Sequence, residues 1–166
     1  MANKAGARKW FLLGFLLCVA AMAGAMYFQL VLQLNPCPLC IFQRVAVIIA
    51  GMIFLIAALH NPKSWGRRIY ALLTLLASIG GIVFSVRQMW LQSLPPDQVP
   101  ACGPGLNYLV KVLPWQQVIS TVFNGSGECA AKGWVFWDVS IAGWTAVLFG
   151  VLILLSLWLL VRRAAK

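Results

Sequence analysis

Four stretches of the chain are apolar almost without interruption, and they set the reading of everything between them. Trp10 to Phe28 carries no strongly polar side chain and stays mostly apolar, past Gln29 and Gln33, to about Leu34. Ile41 to Leu59 is broken only by Gln43 and Arg44, and Ile69 to Val86 and Val139 to Val161 complete the set. Each holds about 18 to 23 residues, enough for a helix rising 1.5 Å per residue to cross a ~30 Å hydrocarbon layer. The pattern predicts an all-α membrane protein, a bundle of four transmembrane helices at about residues 10–34, 41–59, 69–86 and 139–161. The whole chain, 1–166, reads as one integral membrane domain. The first run is too long for a secretion signal, lacks a small-residue cleavage site and is followed at once by the next span, so it reads as a true span.

Between the spans lie two loops on one side, at about 35–40 and 87–138. The longer loop carries five of the eight prolines and is not expected to fold alone. Within it Leu106, Leu109, Val110 and Leu113 recur at helical spacing, and after Pro114 so do Trp115, Val118, Ile119 and Val122. Asn107, Lys111, Gln116, Gln117, Ser120 and Thr121 take the other faces. This predicts one or two short interfacial helices, with Pro114 starting the second, or else a helix packed as a cap on the bundle.

Composition agrees with burial in lipid: 62% of residues are hydrophobic and only 10% charged, far from the ~25% charged of soluble domains. The net charge of +10 could suggest nucleic acid, but the cations cluster at span ends. Lys4, Arg8 and Lys9 precede span one, Lys63, Arg67 and Arg68 separate spans two and three, and Arg162, Arg163 and Lys166 follow span four. These are nine of the 13 Lys and Arg residues, and all three acids, Asp97, Glu128 and Asp138, lie on the other side with Arg44, Arg87, Lys111 and Lys132. The positive-inside rule then places both termini in the cytoplasm and the two cysteine-bearing loops outside. Trp10, Trp90, Trp144 and Trp158 fall near span ends, where an aromatic belt belongs.

Topology sorts the five cysteines. Cys18 sits in mid-span, where a thiol behaves as a small inert hydrophobe. Cys37 and Cys40 form Cys37-Pro38-Leu39-Cys40 just before span two, and Cys102 and Cys129 lie in the long outer loop. Four outward cysteines are an even number in a compartment that permits disulfides. Cys40 begins a helix and Arg44 follows one turn later, so helix dipole and guanidinium can both favour its thiolate and make it redox-active. An arginine inside the apolar layer costs up to ~3 kcal/mol at the centre, which argues for a function beyond anchoring to headgroups. Zinc would need a second tight knuckle, and Cys102 and Cys129 are too far apart in sequence to form one. Static disulfides remain open, although a bridge closing so short a loop stabilises little.

Four spans, Cys37-Pro38-Leu39-Cys40 before span two, Arg44 four residues later, and a second outer pair in a Gly127-Glu128-Cys129 stretch resemble the DsbB family of bacterial inner-membrane disulfide oxidases. The resemblance covers nearly the whole chain. It implies a role in the route that keeps the bacterial periplasm oxidising. It implies disulfides Cys37–Cys40 and Cys102–Cys129, with all four cysteines catalytic. A reduced thioredoxin-fold oxidant similar to DsbA would attack Cys102. Cys129, released, would meet Cys37, and Cys40 would pass electrons to a membrane quinone, ubiquinone or menaquinone, held beside Arg44. Gly125 and Gly127 make Cys129 part of a flexible tether, and Asn35-Pro36 should turn the chain to hold Cys37 at the interface.

Some family members place a His near the outer end of span three, where this chain reads Arg87-Gln88-Met89, and its one His, His60, falls on the cytoplasmic side. Gln88 can hydrogen-bond a quinone carbonyl but cannot move a proton at neutral pH. Arg87 reads as a headgroup anchor. Two other functions fit four spans. A reductase of the vitamin K epoxide type also combines them with CxxC, but late in the bundle. A small transporter or metal-handling protein should carry acids within its spans, and none is present.

Overall fold

The computed structural model describes residues 4–103 and 106–161; the expected cations Arg162, Arg163 and Lys166 lie outside the described residues. Four long helices account for the apolar runs: α1 (Lys4–Leu30), α2 (Pro38–His60), α3 (Ser64–Ser93) and α7 (Ile141–Val161). All four are long and apolar enough to cross a membrane. The connection between α3 and α7 contains a short 3₁₀ turn (Pro96–Gln98), α4 (Leu106–Val112), α5 (Trp115–Asn124), one turn of helix α6 (Gly127–Ala130), and a two-stranded antiparallel hairpin, β1 (Val135–Phe136) and β2 (Val139–Ser140).

Local signals end the helices. Pro38 occupies the first turn of α2 behind the N-cap Cys37, where its missing N–H is no loss, and Asn61 closes α2 in the left-handed region at φ 46. Helix α1 stops at Leu30 rather than near Leu34. The reversal is made at Gln33, φ 53, where the Leu34 N–H reaches the Phe28 carbonyl at 3.1 Å, and not at Asn35-Pro36 as the sequence suggests. Helix α3 continues past Val86 to Ser93, so Arg87, Gln88 and Gln92 belong to it.

Helix α3 packs along both α2 and α7, and α1 lies mainly on α2. Phe11, Phe54, Phe149, Leu152 and Leu159 fill the core away from the cysteine loops. Gly81 lets α3 approach α7, since a Cβ there would lie 2.1 Å from the Phe149 ring. Thr74 and Ser156 join the same helices by a 2.9 Å hydroxyl hydrogen bond in that buried seam. Trp10 of α1 meets Trp158 of α7 at the end opposite the CxxC, with ring centroids 4.6 Å apart.

At the CxxC end a second cluster forms. Val118 and Val122 of α5 pack with Leu39, Leu91 and Leu109, whereas Trp115, Ile119 and Phe123 remain exposed. The apolar positions of α5 thus divide between a cap on the bundle and an outward stripe. The hairpin is an element that the sequence pattern does not announce. Its turn residues Trp137 and Asp138 both have positive φ, 51 and 58, the geometry of a type I′ turn, but they lack the Asn-Gly pair that usually marks one.

Candidate functional site: four thiols at one end of the bundle

The start of α2 is built around sulfur. The Cys40 N–H donates to Cys37 Sγ at 3.3 Å, and the two sulfurs are 2.6 Å apart. The Leu39 N–H is directed at the sulfur of Cys129. Backbone donors that a helix start leaves without intrahelical partners therefore serve two thiols from different parts of the chain.

Helix α3 supplies the next contact. Gln88, buried, places its amide nitrogen 3.2 Å from Cys40 Sγ and 3.4 Å from Cys37 Sγ. Buried Gln43 donates to the Gln88 carbonyl oxygen at 2.7 Å, which fixes the amide so that its N–H groups face the sulfurs. Gln43 is a candidate site residue that the sequence pattern does not single out, although an amide in an otherwise apolar span is the signal that could have found it. Arg44 does not take the expected place beside Cys40. Its guanidinium donates to Gln29 Oε1 and, at 3.1 Å, to the Ala25 carbonyl, both on α1. It still shares a cavity of about 690 Å³ with Cys37, Cys40, Gln43 and Gln88. The rest of the wall is mainly apolar. Phe28, Trp134, Phe136 and Trp144 form a chain of ring contacts from α1 through the hairpin to α7 along it, and the Ser140 hydroxyl donates to Gln92 Oε1 at 2.7 Å, tying hairpin to α3.

The long loop brings the other cysteines to this end. Cys129 is fully buried and its sulfur lies against Cys37, while Cys102 is exposed, beside Gly127 of the same arm. All five cysteines are free thiols in the structure, Cys18 among them, buried in the far core. The hydrogen bond from the Cys37 thiol holds Cys129 down to about 6 even though burial pushes it up, and the Leu39 and Ser126 N–H groups help. The same hydrogen bond, followed by that with Cys40 and by burial, raises Cys37. The directions of the two shifts favour the thiolate at Cys129 and the thiol at Cys37. Arg87, expected at the headgroups, instead donates to the Phe123 and Asn124 carbonyls at 2.9 and 3.1 Å.

Comparison with known proteins accords with this arrangement. The sequence profile of the family described as Disulfide bond formation protein DsbB matches residues 7–159. A protein of Nitrosococcus oceani named Disulfide bond formation protein B is 54% identical over 151 residues, covering 90% of this chain and 89% of its own length. Proteins of the same name from Marinobacter nauticus and Methylococcus capsulatus are 48% and 44% identical, over 93% and 92% of this chain and 93% and 94% of their own lengths. With four helices able to span a membrane and four of its five thiols gathered at one end, the chain belongs to the DsbB family of disulfide-forming oxidoreductases.

Proposed function

We propose that the protein reoxidises a thioredoxin-fold dithiol oxidant similar to DsbA on the periplasmic side of the bacterial inner membrane and passes the electrons to a membrane quinone. The observation that carries this reading is the burial of Cys129 against Cys37, while Cys37 and its neighbour Cys40 line the cavity. In the proposed orientation both termini are cytoplasmic and the thiol end faces outward, as the nine clustered cations favour.

The resting protein carries Cys37–Cys40 and Cys102–Cys129 disulfides. A thiolate of the reduced partner attacks exposed Cys102, forming a mixed disulfide and releasing Cys129 as a thiolate. The partner's second thiol then displaces Cys102, and the partner leaves oxidised. Cys129 attacks Cys37, making a Cys37–Cys129 disulfide and releasing Cys40. The Cys102 thiolate attacks Cys129, restoring Cys102–Cys129 and leaving Cys37 and Cys40 reduced. Two electrons and two protons have then moved from partner to CxxC.

The cavity walls fit a quinone. Its volume is within the ~300 to 1,000 Å³ of small-molecule sites, its aromatic and aliphatic lining suits a ring and an isoprenoid tail, and Gln88 and Gln43 give it a polar group beside Cys40. When bound there, quinone supplies a two-electron, two-proton acceptor for the reduced CxxC. Gln88 stabilises the Cys40 thiolate by donating to it, Gln43 orients Gln88, and Arg44, fixed by α1, offers a cation to a quinone oxygen.

The test is quinone reduction by the purified protein in nanodiscs with dithiothreitol as reductant, followed by the quinone absorbance, together with non-reducing peptide mapping of the resting protein. The expected results are reduction that is lost in Cys40→Ala, and the two pairings above with Cys18 free. Four free outer thiols after air oxidation, or one equivalent of zinc, contradict the reading.

A further inference from the structure

We propose that Arg87 is a positioning residue for the transfer between the two cysteine pairs: it clamps the end of α5 to α3 and so holds the Cys129 arm against Cys37. The inference rests on the function proposed above, but its geometry is independent of quinone. A helix leaves its last four carbonyls without intrahelical partners. At the end of α5 the Thr121 and Val122 carbonyls accept from the Gly125 N–H at 3.3 and 3.0 Å. The remaining two, Phe123 and Asn124, accept from Arg87 Nε and Nη2 at 2.9 and 3.1 Å. A side chain of α3 thus completes the cap of α5, and its charge opposes the negative end of the helix dipole. The guanidinium also lies over two rings, 4.2 Å from the Trp90 ring centroid and 5.8 Å from that of Phe123.

The reactive arm begins immediately after the clamp. One turn further along α3, Leu91 seats Gly125, where φ is +83 and a Cβ would fall 2.3 Å from Leu91 Cδ1. The chain then turns through Ser126, the Gly127 N–H bonds the Ala101 carbonyl at 3.3 Å, and the Cys129 N–H bonds the Ser126 carbonyl at 2.8 Å. Only a short segment separates the Asn124 carbonyl held by Arg87 from the sulfur buried at Cys37. Within a tether that short, fixing one end raises the local concentration of the other at its target. The glycines allow the arm to move to Cys102, and Arg87 defines where it returns.

The test uses the full-length protein in nanodiscs, carrying Cys40→Ser and Cys102→Ser so that Cys37 and Cys129 are the thiols able to pair. Diamide, a two-electron oxidant that takes up the two thiol protons, is added, and the Cys37–Cys129 bond is timed by alkylation quench and peptide mapping. Arg87→Ala should slow bond formation at least tenfold. Arg87→Lys, which keeps a cation at the helix end but loses the two-donor fork, should recover part of the rate. With the four cysteines intact, Arg87→Ala should lower kcat with the reduced thioredoxin-fold partner while the dithiothreitol-driven reaction keeps its KM for quinone. A pairing rate within twofold of the unaltered protein overturns the inference, as does an equal fall in the dithiothreitol-driven reaction, which marks general disruption. If dithiothreitol reduces no quinone at all but pairing still depends on Arg87, the clamp stands and the proposed function falls.

Discussion

Gln88 on α3 holds its amide nitrogen 3.2 Å from the sulfur of Cys40 on α2. A neutral amide stands where the sequence suggested a guanidinium, so in the proposed mechanism the sulfur anion is stabilised by oriented N–H groups rather than by a full charge. Gln43 is essential to that orientation, because its N–H groups occupy the Gln88 oxygen.

Replacing Gln88 by Leu keeps the volume and removes the donor. Losing a hydrogen bond to a charged group costs ~1.5 to 3 kcal/mol, so dithiothreitol-driven quinone reduction should fall roughly 10- to 150-fold. Gln43→Leu should cost less, since Gln88 remains and loses only its orientation. Stopped-flow quinone absorbance checks both, and equal losses for the two variants count against a relay from Gln43 to Gln88.

Arg44 is held by α1, and its variants separate fixing from anchoring. Arg44→Lys keeps a cation able to reach headgroups but loses the planar fork, and should raise KM for quinone. Arg44→Ala should raise it further, by on the order of 10- to 150-fold for one lost charge-assisted hydrogen bond. Gln29→Leu, which removes a partner of the guanidinium, should raise it modestly. Unchanged quinone kinetics in all three return Arg44 to the status of an anchor.

The four spans and the CxxC at the start of a span could be read from the chain because each depends on local pattern, an apolar run or a helix start, whereas the one-turn spacing that suggested Arg44 beside Cys40 did not foresee its partners Gln29 and Ala25 on α1. The outer end of α3 could not be read in this way either. Arg87, Gln88 and Gln92 look like the end of a span, yet each is satisfied by a partner distant in sequence: the α5 carbonyls, the CxxC sulfurs and Ser140. Polar residues that terminate a helix in water or headgroups continue it when the protein supplies their partners. The β1–β2 hairpin was hidden for a different reason, since Trp137-Asp138 is an unusual pair for positive φ.

Cys129 in the reduced protein should titrate near 6. Its lowered value means that the folded protein favours the thiolate, which is present above that pH and lost as pH falls through it. Cys37→Ala removes the main hydrogen-bond donor, so the midpoint should rise toward the ordinary thiol value of ~8.5. The Cβ resonance of ¹³C-labelled cysteine followed against pH checks this, and an unmoved midpoint contradicts the pairing of Cys129 with Cys37.

Gly81 gives a prediction on stability alone. Gly81→Ala forces a methyl against the Phe149 ring, where 2.1 Å is available, and overpacking of this kind costs ~1 to 3 kcal/mol. Thermal unfolding in detergent should show a lowered midpoint. The adjacent Gly80, with nothing within 4 Å of its Cβ position, should tolerate alanine.

In the proposed mechanism the two cysteine pairs do different work, and one comparison of variants tests this division. Quinone reduction is measured twice for Cys37→Ala, Cys40→Ala, Cys102→Ala and Cys129→Ala, once with a reduced thioredoxin-fold partner and once with dithiothreitol. All four variants should lose turnover with the protein partner, while Cys102→Ala and Cys129→Ala should still reduce quinone from dithiothreitol and the CxxC variants should not. Equal loss of the dithiothreitol reaction in both groups would contradict it.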